Sequence, residues 1–182
     1  MLADTPTLLI VDEAYGQFAP TSAVPLIGDD VPLVVTRTFS KTWSMAAARL
    51  GYLLGPAWIV AELEKVVLPY HLDAMKQAAG LAALDFGAEM DRRVARLVEE
   101  RGRLQEAIGR LPVRVWPSGA NYFLIRADRI DGDTLWQQLV DRSILVRNCA
   151  SWPGLEGCLR ITVGTPGEND RLIEALGEIL AP

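Results

Sequence analysis

Residues 7–15 read TLLIVDEAY, and residues 32–41 read PLVVTRTFSK. Each stretch opens as an unbroken apolar run, Thr7 to Val11 and Pro32 to Thr36, and each turns polar at once. Apolar runs without alternation fit strands buried on both faces, as in a parallel sheet covered by helices. Ionisable residues directly past two such strands match a rule for open α/β sheets. Ligands there bind beyond the carboxyl ends of the strands. The expected fold class is therefore α/β, with chemistry at Asp12 and Tyr15 after one strand and at Thr38, Ser40 and Lys41 after the other.

Outward from this pair, Leu50 to Leu54 reads as a third strand closed by Gly55-Pro56. A helix is expected from about Pro56, where a missing N–H costs nothing, and Pro69 stops it. Asp73 to Arg110 is strongly helical, with a possible break at Gly87. Val94, Leu97, Val98, Leu104, Ile108 and Leu111 form an apolar stripe along it. The charges at Arg92, Arg93, Glu99, Glu100, Arg103 and Glu106 form its solvated side. Beyond it, strands are expected at Val113–Trp116 and Asn121–Arg126 around a Pro117-Ser118-Gly119 turn. A helix over Asp133–Asp141 follows, then short strands at Ile144–Arg147 and Cys158–Val163. Gly164-Thr165-Pro166 begins the last connection, and Asn169–Leu180 closes as an amphipathic helix. This half mixes strands and helices in the manner of a small α+β domain. The expected division is residues 1–75 for the part carrying the buried strands and 76–182 for the long helix with the small domain.

Composition narrows the function. The 182 residues carry a formal charge of −5, half of them are hydrophobic, and 23% are charged. That balance describes a globular chain rather than a disordered one. A pI near 4.9 argues against general nucleic-acid binding, which usually needs a basic face. No apolar run is long enough for a membrane span. No basic stretch precedes an apolar one at the start, so no secretory signal is expected. Cys149 and Cys158 lack metal-ligand spacing and His71 cannot complete a site, which excludes a zinc module and a disulfide scaffold. Any Ser-His-Asp hydrolase would have to be built on His71. Cys149 and Cys158 are expected as free thiols.

Lys41 is the sharpest chemical feature. A lysine in a partly desolvated pocket near another cation can form a Schiff base with an aldehyde. Ser40, Thr38 and Arg49 supply what a phosphate monoester needs: hydroxyl donors and a planar guanidinium fork. Asp12 is costly at a buried strand end unless it is paired. A pyridoxal phosphate ring nitrogen is such a partner, and Tyr15 could donate to the ring's phenolic oxygen.

The stretches VDEAYGQF, TRTFSKTWSMAAARLGY and LRITVGTPGEND resemble the fold-type I, class I/II pyridoxal-phosphate aminotransferases, and PSGANYFLIR and ILVRN match in order and spacing. The resemblance runs from about Thr7 to the end. Within that family the sequence most resembles the histidinol-phosphate aminotransferases. The resemblance implies the C-terminal part of a large domain with a mainly parallel sheet, joined to a small α+β domain. It implies pyridoxal 5'-phosphate as cofactor, with Lys41 as its attachment point and proton shuttle. Asp12 would pair with the ring nitrogen and Tyr15 with the ring oxygen. Ser40 and Arg49, with Thr38 in support, would hold the phosphate. Arg160 would grip the substrate's α-carboxylate and Arg147 its phosphate, with Asn121 near the mouth of the site.

The resemblance further implies a cytoplasmic homodimer acting on small amino and keto acids. Threonine-phosphate decarboxylases and aromatic aminotransferases share most of these motifs and remain alternatives. The family's subunit also has an N-terminal half carrying a glycine-containing phosphate loop, a ring-stacking aromatic residue and an Asn that bonds the ring oxygen. None of these is expected in this sequence, so a non-catalytic fragment is the competing reading. Ala46-Ala47-Ala48 departs from the family's Ala-Gly-Leu, and His71 stands where the family often has Asn.

Overall fold

A computed structural model describes residues 7–181. The chain divides into two compact units between Val94 and Ala95. The N-terminal unit holds a three-stranded sheet of β1 (Leu9–Asp12), β2 (Leu33–Thr38) and β3 (Gly51–Leu54) in that order. β1 pairs parallel with β2, and β3 pairs antiparallel with it. β2 is central, and Leu33, Val34 and Val35 are all buried, as a continuous apolar run at a sheet centre should be. β1 differs from the expected two-faced burial. It is an edge strand, and Leu8, Leu9 and Ile10 remain exposed, Ile10 at 61%.

No α-helix joins β1 to β2. Their connection instead contains short 3-10 turns at Gly16–Phe18 and Val24–Leu26. α1 (Ala57–Glu64) begins directly after Pro56, and α2 (Ala74–Leu84) is capped by the Asp73 carboxylate, which accepts from the Lys76 N–H at 2.8 Å. Gly80 lets α2 lie close to Leu50, the residue before β3, since a Cβ there would stand 2.6 Å from Leu50 Cδ2. Phe39 joins this core and meets Tyr52 edge-on at 5.6 Å.

α3 (Gly87–Ile108) carries the expected apolar stripe. The division between units falls inside it, later than the boundary at 75/76 read from the sequence. Periodicity marks where the long helix begins; packing changes only part-way along it.

The C-terminal unit is a four-stranded antiparallel sheet in the order β4 (Val113–Val115), β5 (Tyr122–Ala127), β7 (Cys158–Thr162), β6 (Arg147–Asn148), with α4 (Gly132–Asp141) and α5 (Pro166–Leu180). Phe123, Ile125, Leu159 and Ile161 point to one face and form a core with Leu104, Ile108, Leu135, Leu139, Leu172 and Leu176. By strand alternation, Tyr122, Leu124, Arg126, Cys158, Arg160 and Thr162 occupy the other face.

Two boundaries in this unit lie three residues from the sequence reading, and the others lie within two. The strand expected at Ile144–Arg147 is only Arg147–Asn148. The Ile144 N–H is spent on the Leu139 carbonyl at 2.9 Å and the Val146 carbonyl on the Trp136 indole at 3.0 Å, which leaves those groups out of the ladder. α5 starts at Pro166 rather than Asn169. Thr165 and Glu168 form a reciprocal capping box, with proline at the first helical position.

Candidate active site

β1 and β2 run parallel, so their carboxyl ends emerge on one side of the sheet. Asp12 ends β1 opposite Thr36 of β2. Its Oδ1 accepts from the Ala14 N–H at 2.9 Å, which turns the chain toward Tyr15. Lys41 Nζ lies 5.0 Å from the centroid of the Tyr15 ring, in cation–π range. The lysine and the tyrosine, each just past a different strand end, thus meet in space.

The loop after β2 is fixed by its own polar groups. Thr38 Oγ1 accepts from the Ser40 N–H at 3.0 Å and donates to the Leu50 carbonyl at 3.3 Å. Thr38 therefore acts here as a brace for the loop. Arg49 sits in the left-handed region with φ 52°, as does Ser44 with φ 57°. Non-glycine residues hold that conformation only where surrounding contacts enforce it, and such positions cluster at functional sites. Arg49 Nη1 donates to the Ala46 carbonyl at 3.1 Å and reaches Ser40 Oγ at 3.5 Å. A hydroxyl and a guanidinium are thereby presented together beside Lys41 in the chain. Ala47, at the position where the family usually has glycine, is exposed. His71 is exposed as well.

A buried ion pair that sequence reasoning missed underlies this cluster. Glu13, 7% exposed, receives Arg37 Nη2 at 2.9 Å and Nε at 3.1 Å. The Ser22 hydroxyl and the Ala23 N–H, the latter at 2.5 Å, complete its shell. Burial alone would push the Glu13 carboxyl up. The Ala23 N–H, the Arg37 guanidinium and the Ser22 hydroxyl outweigh it and hold the group below its ordinary value. The pair bolts the residue after Asp12 to the strand that leads to Lys41. Gly16 lies against it, and a Cβ there would stand 2.7 Å from Glu13 Cβ. An Asp-Glu pair ending a buried strand and an arginine inside the next one were the available signal.

The C-terminal unit presents a second group. Arg160 on β7 lies directly across from Arg147 on β6. Like charges at opposed strand positions are destabilising, and an anion between them would offset that cost. The Arg160 guanidinium carbon stands 4.9 Å from the Tyr122 ring centroid, and its Nε is buried without a hydrogen-bond partner. Buried donors are nearly always paired, and a guanidinium fork can take a carboxylate bidentately. Arg147 is exposed. Asn121 is half-buried just before β5, and its carbonyl accepts from the Val163 N–H at 2.9 Å. Arg101, also missed, is buried and donates to the Ala120 carbonyl at 2.6 Å, fixing the turn that carries Asn121.

Asp12, Tyr15, Thr38, Ser40, Lys41 and Arg49 thus belong to the N-terminal unit, and Asn121, Arg147 and Arg160 to the C-terminal one. Among the described residues no cluster could hold a metal ion, and no helix is long and apolar enough to cross a membrane.

The α/β sheet thus sets a lysine, an aspartate and a loop carrying a hydroxyl and a guanidinium past its strand ends. The family profile described as aminotransferase class I and II matches residues 2–176. The chain belongs to that family. It is 39% identical over 181 residues to a histidinol-phosphate aminotransferase from Desulfitobacterium hafniense (strain DSM 10664 / DCB-2), covering 99% of this chain and 50% of that protein. It also superimposes on a histidinol-phosphate aminotransferase from Sinorhizobium meliloti solved in complex with pyridoxal-5'-phosphate. There the TM-score is 0.80 at 26% identity, over 96% of this chain and 49% of the other. A decarboxylase from Sulfurospirillum multivorans gives a TM-score of 0.83 at 27% identity, over 98% of this chain and 54% of the other. The chain spans about half the length of the curated relatives it matches.

Proposed function

We propose that this chain is the C-terminal half of a pyridoxal-phosphate-dependent histidinol-phosphate aminotransferase. The whole enzyme would pass the amino group of L-histidinol phosphate to 2-oxoglutarate, giving imidazole-acetol phosphate and L-glutamate. The carrying observation is Lys41 Nζ standing over the Tyr15 ring. The donors past the same strand ends suit the cofactor: a carboxylate for the ring nitrogen, a phenol for the ring oxygen, and a hydroxyl with a guanidinium for the phosphate.

When bound, pyridoxal phosphate supplies an electron sink for the carbanion formed at the substrate's α-carbon. The Lys41 amine would hold the cofactor through its aldehyde carbon, with loss of water, and is placed to carry the α-proton. The Asp12 carboxylate keeps the ring nitrogen protonated. Ser40 and Arg49 would hold the cofactor's phosphate, and Thr38 keeps that loop in shape. Arg160 would grip the α-carboxylate of glutamate or 2-oxoglutarate through its guanidinium fork, Arg147 would bind the phosphate of L-histidinol phosphate, which carries no carboxylate, and Asn121 is the third candidate for a substrate contact. The remaining phosphate and ring contacts come from the half that this chain does not span. The reading includes a cytoplasmic homodimer. A phosphoamino-acid decarboxylase is the second reading, supported by the likeness to the Sulfurospirillum decarboxylase.

The test is to co-express the chain with the N-terminal half of the Desulfitobacterium relative and assay L-histidinol phosphate with 2-oxoglutarate. Glutamate formation supports the transaminase. Carbon dioxide release from a phosphoamino acid, without glutamate, would replace it with the decarboxylase.

A further inference from the structure

The geometry points to a positioning clamp for Lys41, made by Thr42 and Gln17. Thr42 directly follows Lys41 and is 6% exposed. Its hydroxyl donates to Gln17 Oε1 at 2.8 Å. Gln17 lies in the short 3-10 turn that follows Tyr15, and its Nε2 contacts Met90 Sδ at 3.9 Å. The contacts close a ring. Lys41 Nζ meets the Tyr15 ring, Gly16 alone separates Tyr15 from Gln17, Gln17 meets Thr42, and Thr42 adjoins Lys41.

The ring matters because the Lys41 residue is exposed while its neighbour is not. A long lysine side chain in solvent samples many rotamers. A reacting amine is useful only when it is held near one attack geometry. The Glu13–Arg37 pair fixes the two strand ends against each other. The Thr42–Gln17 bond acts one layer further out and sets the loop that carries Lys41 against the turn that carries Tyr15. Thr42 and Gln17 touch no reacting atom in this account. They act through Lys41 and Tyr15, and the inference rests on the reading of Lys41 as the attachment residue.

The sequence's lysines are Lys41, Lys65 and Lys76, so selective carbon-13 labelling of lysine ε-methylenes gives a simple NMR spectrum. The Lys41 signal is expected upfield because it lies over an aromatic ring. Thr42→Val and Gln17→Leu should each move it to the position of the other lysines, and Thr42→Ser should restore it. Lys65 and Lys76, which pair with Glu62 and Asp73, report that the fold is kept. In parallel, borohydride trapping of pyridoxal phosphate on Lys41 should slow about tenfold in Thr42→Val, the order expected for a loosened reacting group.

An unshifted Lys41 signal in the parent chain, or wild-type signal and trapping in Thr42→Val, would overturn the clamp. So would a Thr42→Ser variant that behaves like Thr42→Val. A Thr42-dependent shift with no trapping on Lys41 even in the parent would instead overturn the attachment reading and leave the clamp standing.

Discussion

Lys41 Nζ stands 5.0 Å from the centre of the Tyr15 ring, although the two residues follow different strands. Parallel pairing of β1 with β2 makes this possible, because it brings both carboxyl ends to one side of the sheet. The buried Glu13–Arg37 pair then fixes the first turn to the second strand. The attachment chemistry proposed for Lys41 depends on that arrangement.

Replacing Lys41 with alanine should abolish covalent attachment of pyridoxal phosphate and all transamination in the complemented enzyme. Absorbance of the protein-bound cofactor and glutamate formation check this together. Full activity in the variant would remove Lys41 from the mechanism.

Arg160→Lys should raise the KM for 2-oxoglutarate by about tenfold or more, because an ammonium cannot reproduce a bidentate fork to its carboxylate and leaves the buried site partly unpaired. Cofactor attachment should be unchanged. Loss of attachment with an unchanged KM would show that Arg160 serves the cofactor or the fold instead.

Arg147→Ala should act on phosphorylated substrates selectively. The KM for histidinol phosphate should rise about tenfold, the usual scale for one lost charge-assisted hydrogen bond, while unphosphorylated amino donors are unaffected. Equal losses for both kinds of donor would contradict the phosphate role.

The Glu13–Arg37 pair gives the N-terminal unit a pH signature. The Glu13 carboxyl is held below its ordinary value of 4.5 in the folded chain. Its contribution is therefore fully present above that pH and is lost as pH falls through the lower, folded-state value. Glu13→Gln should flatten the acid limb of a stability curve in this window. Glu13→Ala should cost about 2–3 kcal/mol in denaturant unfolding, below a fully buried pair because Arg37 keeps some solvent contact. An unaltered acid limb in Glu13→Gln would show that the pair adds nothing.

Much of this arrangement is legible in the residues. The two apolar runs located β1 and β2, the abrupt change to DEAY and RTFSK located the strand ends, and helical spacing located α3. Three things were not legible. Burial of β1 depends on what flanks an edge strand, which a local apolar run does not encode. The shortened β6 arises from the Trp136 indole competing for the Val146 carbonyl across ten residues. The roles of Gln17 and Thr42 depend on a contact between segments far apart in sequence, where each residue alone reads as an ordinary polar surface group, and the pairing of Glu13 with Arg37 is only hinted at by an acid at one strand end and an arginine inside the next strand. The early start of α5, by contrast, was written in Thr165-Pro166-Gly167-Glu168 as a capping box.

The most direct test of the central claim is borohydride trapping of pyridoxal phosphate on the purified chain, followed by peptide mass spectrometry. The account predicts the label on Lys41 in preference to Lys65 and Lys76, and its loss in Lys41→Ala. Label spread evenly over the three lysines, or undiminished total label in Lys41→Ala, would contradict it.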